Sequence, residues 1–120
     1  MAKFADNTVL DGLLNVIDNA TRLVVTSAQP ANFAGIAAVA LADVTIDTGD
    51  FTDADGDTNG RKVTIGAQSS VPVDASGTAT HVCLDDGSTL LYVTTCTSQA
   101  LTSGNTVNIP AWDVEVADPT

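Results

Sequence analysis

A chain of 120 residues, 44% of them apolar, is long enough to bury a core of its own and too apolar for intrinsic disorder. Fifteen acidic residues against four basic ones give a net charge of −11, with positive charge only at Lys3, Arg22, Arg61 and Lys62. Nucleic acid and anionic membrane surfaces are held by clustered cations, so neither is expected as a partner.

The chain reads as a single domain over 1–120, with an arm at 1–7, a helix at 8–19 and a β core at 21–117. The opening "MAKFADNTVLDG" has no apolar run of signal-peptide length, and no stretch approaches the ~18 apolar residues of a membrane span. The protein is therefore expected to be made and kept in a reducing cytoplasm, with Cys83 and Cys96 as free thiols.

The helix follows from "TVLDGLLNVIDN". Val9, Leu10, Leu13, Leu14, Val16 and Ile17 fall at helical spacing and make one wide apolar stripe. Asp6, Asn7 or Thr8 can cap its start, and Asn19 can end it in a left-handed conformation. Gly12 costs it about 1 kcal/mol relative to Ala, so packing has to supply its stability. Leu13 and Leu14 are expected at the centre of that packed stripe.

"TRLVVTSA" (21–28) predicts the first strand, broken at Pro30. "GIAAVALA" fits strand or helix; the alternation of Val44 and Ile46 with Asp43, Thr45 and Asp47 favours a strand from about Val39 to Ile46. An acidic loop follows. "RKVTIGA" predicts a strand with Val63 and Ile65 inward.

"TATHVCL" and "TLLYVTT" flank "DDGS", a hairpin signal. With Asp86 and Gly87 as the loop, Val82 would face Leu91, Cys83 would face Leu90 and His81 would face Tyr92. "TVNIP" and "WDVEVA" complete the chain, with Trp112, Val114 and Val116 on the core side. The pattern predicts a mainly β fold: an antiparallel sandwich or partly open barrel of about seven or eight strands with one short N-terminal α-helix.

"DADGDTNG" (53–60) is the stretch closest to a chemical motif. Calcium loops of the helix–loop–helix type place acidic oxygens at positions 1, 3 and 5, glycine at 6 and a bidentate glutamate at 12. Asp53, Asp55 and Asp57 fit the first three; Thr58 stands where glycine is needed and Thr64 where glutamate is needed. A solvated turn built from Asp, Asn and Gly is the expected reading, with calcium as its rival. His81 is the only histidine, the cysteine spacing matches no zinc motif, and no nucleophile-elbow or phosphate-loop sequence occurs. Neither catalytic residues nor a cofactor or metal site is predicted, and the chain is not expected to be an enzyme.

Four segments, "LDGLLNVIDNATRLVVTSAQP", "DGDTNGRKVTIGA", "GTATHVCLDDGSTLLYVTT" and "QALTSGNTVNIPAWDVEV", together resemble small β-rich structural proteins of tailed bacteriophage and prophage virion modules, most of all capsid decoration (cement) proteins. The resemblance implies a protein made in the host cytoplasm and carried on the capsid exterior. Its partner would be the major capsid protein, whose subunits it bridges, with self-association on the capsid, for instance as a trimer. Lys3 and Phe4 in the arm and Asp50 and Phe51 at the acidic loop are the docking candidates. The alternatives are a glycan- or host-binding sandwich module on a head or tail fibre, and a tail-tube or connector protein.

Overall fold

The computed structural model describes residues 5–117. Helix α1 runs Asn7–Asn15 and continues as a 3-10 turn at Ile17–Asn19. Strands β1 (Arg22–Thr26), β2 (Ala40–Thr45), β3 (Phe51–Asp55), β4 (Arg61–Ile65), β5 (Gln68–Pro72), β6 (Gly77–Asp85), β7 (Leu90–Leu101), β8 (Thr106–Ile109) and β9 (Trp112–Val116) follow, with a four-residue helix α2 (Ile36–Val39) before β2. The strands form three antiparallel sheets, in the orders β2-β1-β6-β7, β3-β4-β9 and β5-β8. The fold is mainly β, as the sequence pattern predicts, with nine strands among the described residues.

One apolar cluster joins all three sheets. Leu23, Val25 and Leu84 enter it from the large sheet, Val63, Ile65 and Val114 from the second, and Val71, Val107 and Ile109 from the third. A second cluster, Val24, Ile36 and Cys83, lies on the opposite face of the large sheet, where Phe33 and Ala40 help cover it. Strand β1 is therefore buried on both faces, which is why "LVV" runs apolar without alternation.

Asp6 caps α1: its backbone is extended and its Oδ2 accepts a hydrogen bond from the Thr8 amide at 2.9 Å. The expected left-handed end at Asn19 does not occur; among described non-glycine residues only Ser70 has positive φ, and the chain leaves the helix through the 3-10 turn. Only half of the predicted apolar stripe is packed. Leu10, Leu14 and Ile17 are buried as α1 packs on β4 and β9, whereas Leu13 is 59% exposed. A nine-residue helix lying on a sheet buries a narrower arc than its apolar residues span.

The β6–β7 hairpin differs in register from the sequence expectation. Asp86 Oδ1 accepts from the Ser88 and Thr89 amides at 3.0 and 2.8 Å, which closes a four-residue loop over 86–89 with Gly87 at φ +92°. Val82 then faces Thr94, Cys83 faces Val93 and His81 faces Thr95, each three residues beyond the expected partner. The odd shift places Val93 beside the second cluster.

The expected acidic loop is also partly ordered strand. Asp47 and Asp50 form a reciprocal cap around the 3-10 turn Thr48–Asp50, and β3 begins directly after it. Residues 36–39, ambiguous in sequence, are helical, and the strand starts at Ala40.

The helix makes a direct test. Leu14→Ala should cost about 2–5 kcal/mol in denaturant unfolding, as for other fully buried leucines. Leu13→Ala should cost no more than about 0.5 kcal/mol, as at ordinary surface positions. Equal losses at the two positions would contradict the observed orientation of α1.

Candidate functional site

The acidic hairpin is held by ion pairs to separate cations. Arg61 Nη1 donates to Asp55 Oδ1 at 2.7 Å, and its Nε reaches across to Asp11 of α1 at 2.8 Å. Lys62 Nζ donates to Asp57 Oδ1 at 2.7 Å and lies 3.6 Å from Asp113. The Asp57 amide donates to Glu115 Oε1 at 2.6 Å. Asp53 is exposed in the middle of β3. The turn needs its glycines: a Cβ on Gly56 would collide with the Asn59 carbonyl, and Gly60 has φ +74° with the Val116 carbonyl against it. Asp53, Asp55 and Asp57 thus do not converge on one point. Among the described residues no three metal-ligating side chains gather.

The docking candidates named from sequence fall in different places. Lys3 and Phe4 lie outside the described residues. Asp50 is engaged internally: its Oδ2 accepts from the Asp47 amide at 2.9 Å and its Oδ1 from Gln68 Nε2 at 3.3 Å. Phe51 is half-buried against the main core.

Other reactive residue types are also in structural settings. Thr80 Oγ1 and His81 Nδ1 share a hydrogen bond at 2.8 Å. Cys83 is buried and Cys96 half-buried; both are free thiols, and burial pushes both thiols up from their ordinary value. Asp85 is fully buried. Its Oδ2 accepts from Arg22 Nε at 2.9 Å and its Oδ1 from the Gly87 amide at 3.0 Å, so it ties the β6–β7 loop to β1.

What remains unengaged is a surface. Val9, Leu13 and Val16 project from α1 with exposures of 59%, 59% and 52%, the only large hydrophobic residues so exposed among those described. Their i, i+4, i+7 spacing makes one ridge along the helix. Gly12 beside them has open space over its Cα, which keeps the ridge approachable. The nearby carboxylates lie on the other side of the helix, where Asp11 pairs with Arg61 of β4. Asp18, just beyond the helix, has its carboxyl pushed up by burial and then by the charges of Asp53 and Asp11. The ridge itself carries no charged side chain, on a chain of net charge −11. Its spacing was legible in the sequence; which half of the stripe would face outward was not.

No described helix is long and apolar enough to cross a membrane. Comparison with protein-family models, with curated protein sequences and with solved structures finds no match to this chain.

The carboxylates set a pH dependence. Asp18 and Asp43 have raised pKa values, Asp43 through burial first and then through the neighbouring Asp74 carboxyl. A raised folded-state value means that the folded chain takes up protons first, so stability rises as pH falls through those values. Asp6 and Asp86 are lowered by the backbone amides of Thr8 and of Thr89 and Ser88, and their contribution is lost at still lower pH. Thermal melts should therefore show stability rising as pH falls toward the ordinary carboxylate value near pH 4, followed by a fall below it. Asp43→Asn should flatten the rise. A stability that only declines from pH 7 downward would contradict this assignment.

Proposed function

We propose that this protein is a capsid decoration protein of a tailed bacteriophage or prophage, docking on the outer surface of the shell and bridging major capsid subunits without chemistry. The observation that carries the reading is the apolar ridge of Val9, Leu13 and Val16, left exposed on a chain of net charge −11. Such a chain repels its own copies in solution and is drawn to a basic surface, where the ridge can bury. The shape supports bridging. The body measures 54 × 26 × 24 Å with a radius of gyration of 15.3 Å, against about 14 Å for a compact domain of this length, so its two ends can reach different neighbours. The sequence resemblance to virion modules supplies the identity of the surface.

A glycan-binding module would need a free aromatic platform. Trp112, the one tryptophan, instead stacks on Tyr92 with ring centroids 6.0 Å apart, which favours the decoration reading over a fibre module.

Cryo-electron microscopy of the particle tests the proposal. The expected result is density for this chain repeated over the capsid exterior; density only at the tail, or only inside the shell, would overturn it. Leu13→Asp should melt within about 0.5 kcal/mol of the natural protein, because the site is exposed. It should nevertheless bind shells about tenfold or more weakly.

A further inference from the structure

The large sheet ends on β7, which is hydrogen-bonded to β6 alone. Its twelve residues, "LLYVTTCTSQAL", include no charged residue and no proline. Edge strands that stay solitary are normally blunted with lysine, proline or inward-pointing charge. Two register shifts interrupt it, one where Ala79 faces Gln99 and His81 faces Thr95, the other where Leu84 faces Tyr92 and Asp85 faces Leu90, which leaves Tyr92–Thr95 as the regular run.

A cleft opens beside this edge. Two cavities of about 260 and 210 Å³ share Val82, Cys96, Ile109 and Pro110 as lining residues. The far wall is β8 and the start of β9, and each of those strands is paired on one side only. Trp112 closes one end, and its indole Nε1 is buried without a hydrogen-bond partner. A buried N–H normally has an acceptor. The cleft thus presents a backbone edge over an apolar floor, with Trp112 in its end wall.

We propose that the cleft receives an extended segment of the partner protein, which adds to the free edge of β7 as a further strand. Main-chain hydrogen bonds to β7 would supply affinity, and alternate side chains would fill the two cavities. The segment carries apolar or β-branched residues at every second position and Lys or Arg at its ends. The charge preference follows from the net charge of −11. A second copy of this chain fits less well. It would bring another eleven net negative charges. The inference rests on the decoration reading for the identity of the partner, but the slot is tested without it.

Cys96 lines both cavities and is half-buried, whereas Cys83 is fully buried, so N-ethylmaleimide acting on the folded protein reports on Cys96. Trp112, being the one tryptophan, gives a second, label-free readout. The probe is the capped peptide Lys-Val-Thr-Val-Thr-Val-Lys, with Val-Val-Val-Thr-Lys-Thr-Lys as the scrambled control. The expected result is saturable slowing of Cys96 alkylation and a shift in Trp112 emission with the alternating peptide but not with the scramble. Absence of both effects at about 1 mM peptide would overturn the proposal. On purified particles Cys96 should react about tenfold or more slowly than in the free protein. If the chain sits on the shell and Cys96 reacts as in solution, the cleft proposal falls while the decoration reading stands. If the chain is absent from the shell, the decoration reading falls and the peptide result alone decides the cleft.

Discussion

The burial of β1 on both faces is the constraint from which the rest of the architecture follows. Leu23 and Val25 point into the core shared by the three sheets, and Val24 points the opposite way into the cluster with Ile36 and Cys83. A strand with no solvent face has to be central, so β2 and β6 must pair on its two sides, as they do. Its outer face then needs a cover. The segment after Pro30 provides one, folding back so that Ile36 and Phe33 lie over Val24. Arg22 anchors the end of the same strand to buried Asp85, where the hairpin loop turns. Removing one member of a buried ion pair strands the other charge, at a cost of about 3–5 kcal/mol where both are fully buried. Arg22 is itself partly exposed, so loss of Asp85 lets it rehydrate, whereas loss of Arg22 leaves the buried carboxylate with only the Gly87 amide.

Much of this was legible in the residues. The apolar run 23–25, the alternation of Val63 and Ile65, and the alternation of Val114 with Asp113 and Glu115 each specify a strand and its inner face. The helix cap was legible as an Asp before an amphipathic run. What escaped were choices made by tertiary contacts. Strand β3, "FTDAD", has two aspartates in five residues and reads as loop; it is a strand because β4 supplies its ladder and Arg61 pairs with Asp55. The hairpin register depended on Asp86 bonding to Ser88 and Thr89, which enlarges the loop. Six apolar residues on α1 could not reveal which three would face the sheet.

The candidate surfaces were only partly visible for the same reason. A helix ridge is apparent once three of the six residues are known to be packed elsewhere. The cleft beside β7 is a property of sheet order, since β7 pairs with β6 alone while β9 pairs with β4. Nothing local to "LLYVTTCTSQAL" distinguishes an edge strand from a central one, apart from its many threonines. The acidic motif that drew attention in the sequence turns out to be internal electrostatics. Arg61 and Lys62 divide Asp11, Asp55, Asp57 and Asp113 between them, and that arrangement fastens α1 and the hairpin to the second sheet.

These cation pairings also shape the outward field. Arg22, Arg61 and Lys62 are each committed to two carboxylates, so the described part of the chain offers little positive charge to a partner. The surplus negative charge is left to act at longer range, where it speeds approach to a basic surface and weakens with salt. In the proposed attachment, short-range hold then comes from apolar contact at the α1 ridge and in the β7 cleft. Three ridge side chains and one cleft are few beside the roughly 20–30 residues a side of a stable complex. On one rigid body the second contact becomes intramolecular once the first has formed, so two modest sites can give a durable attachment.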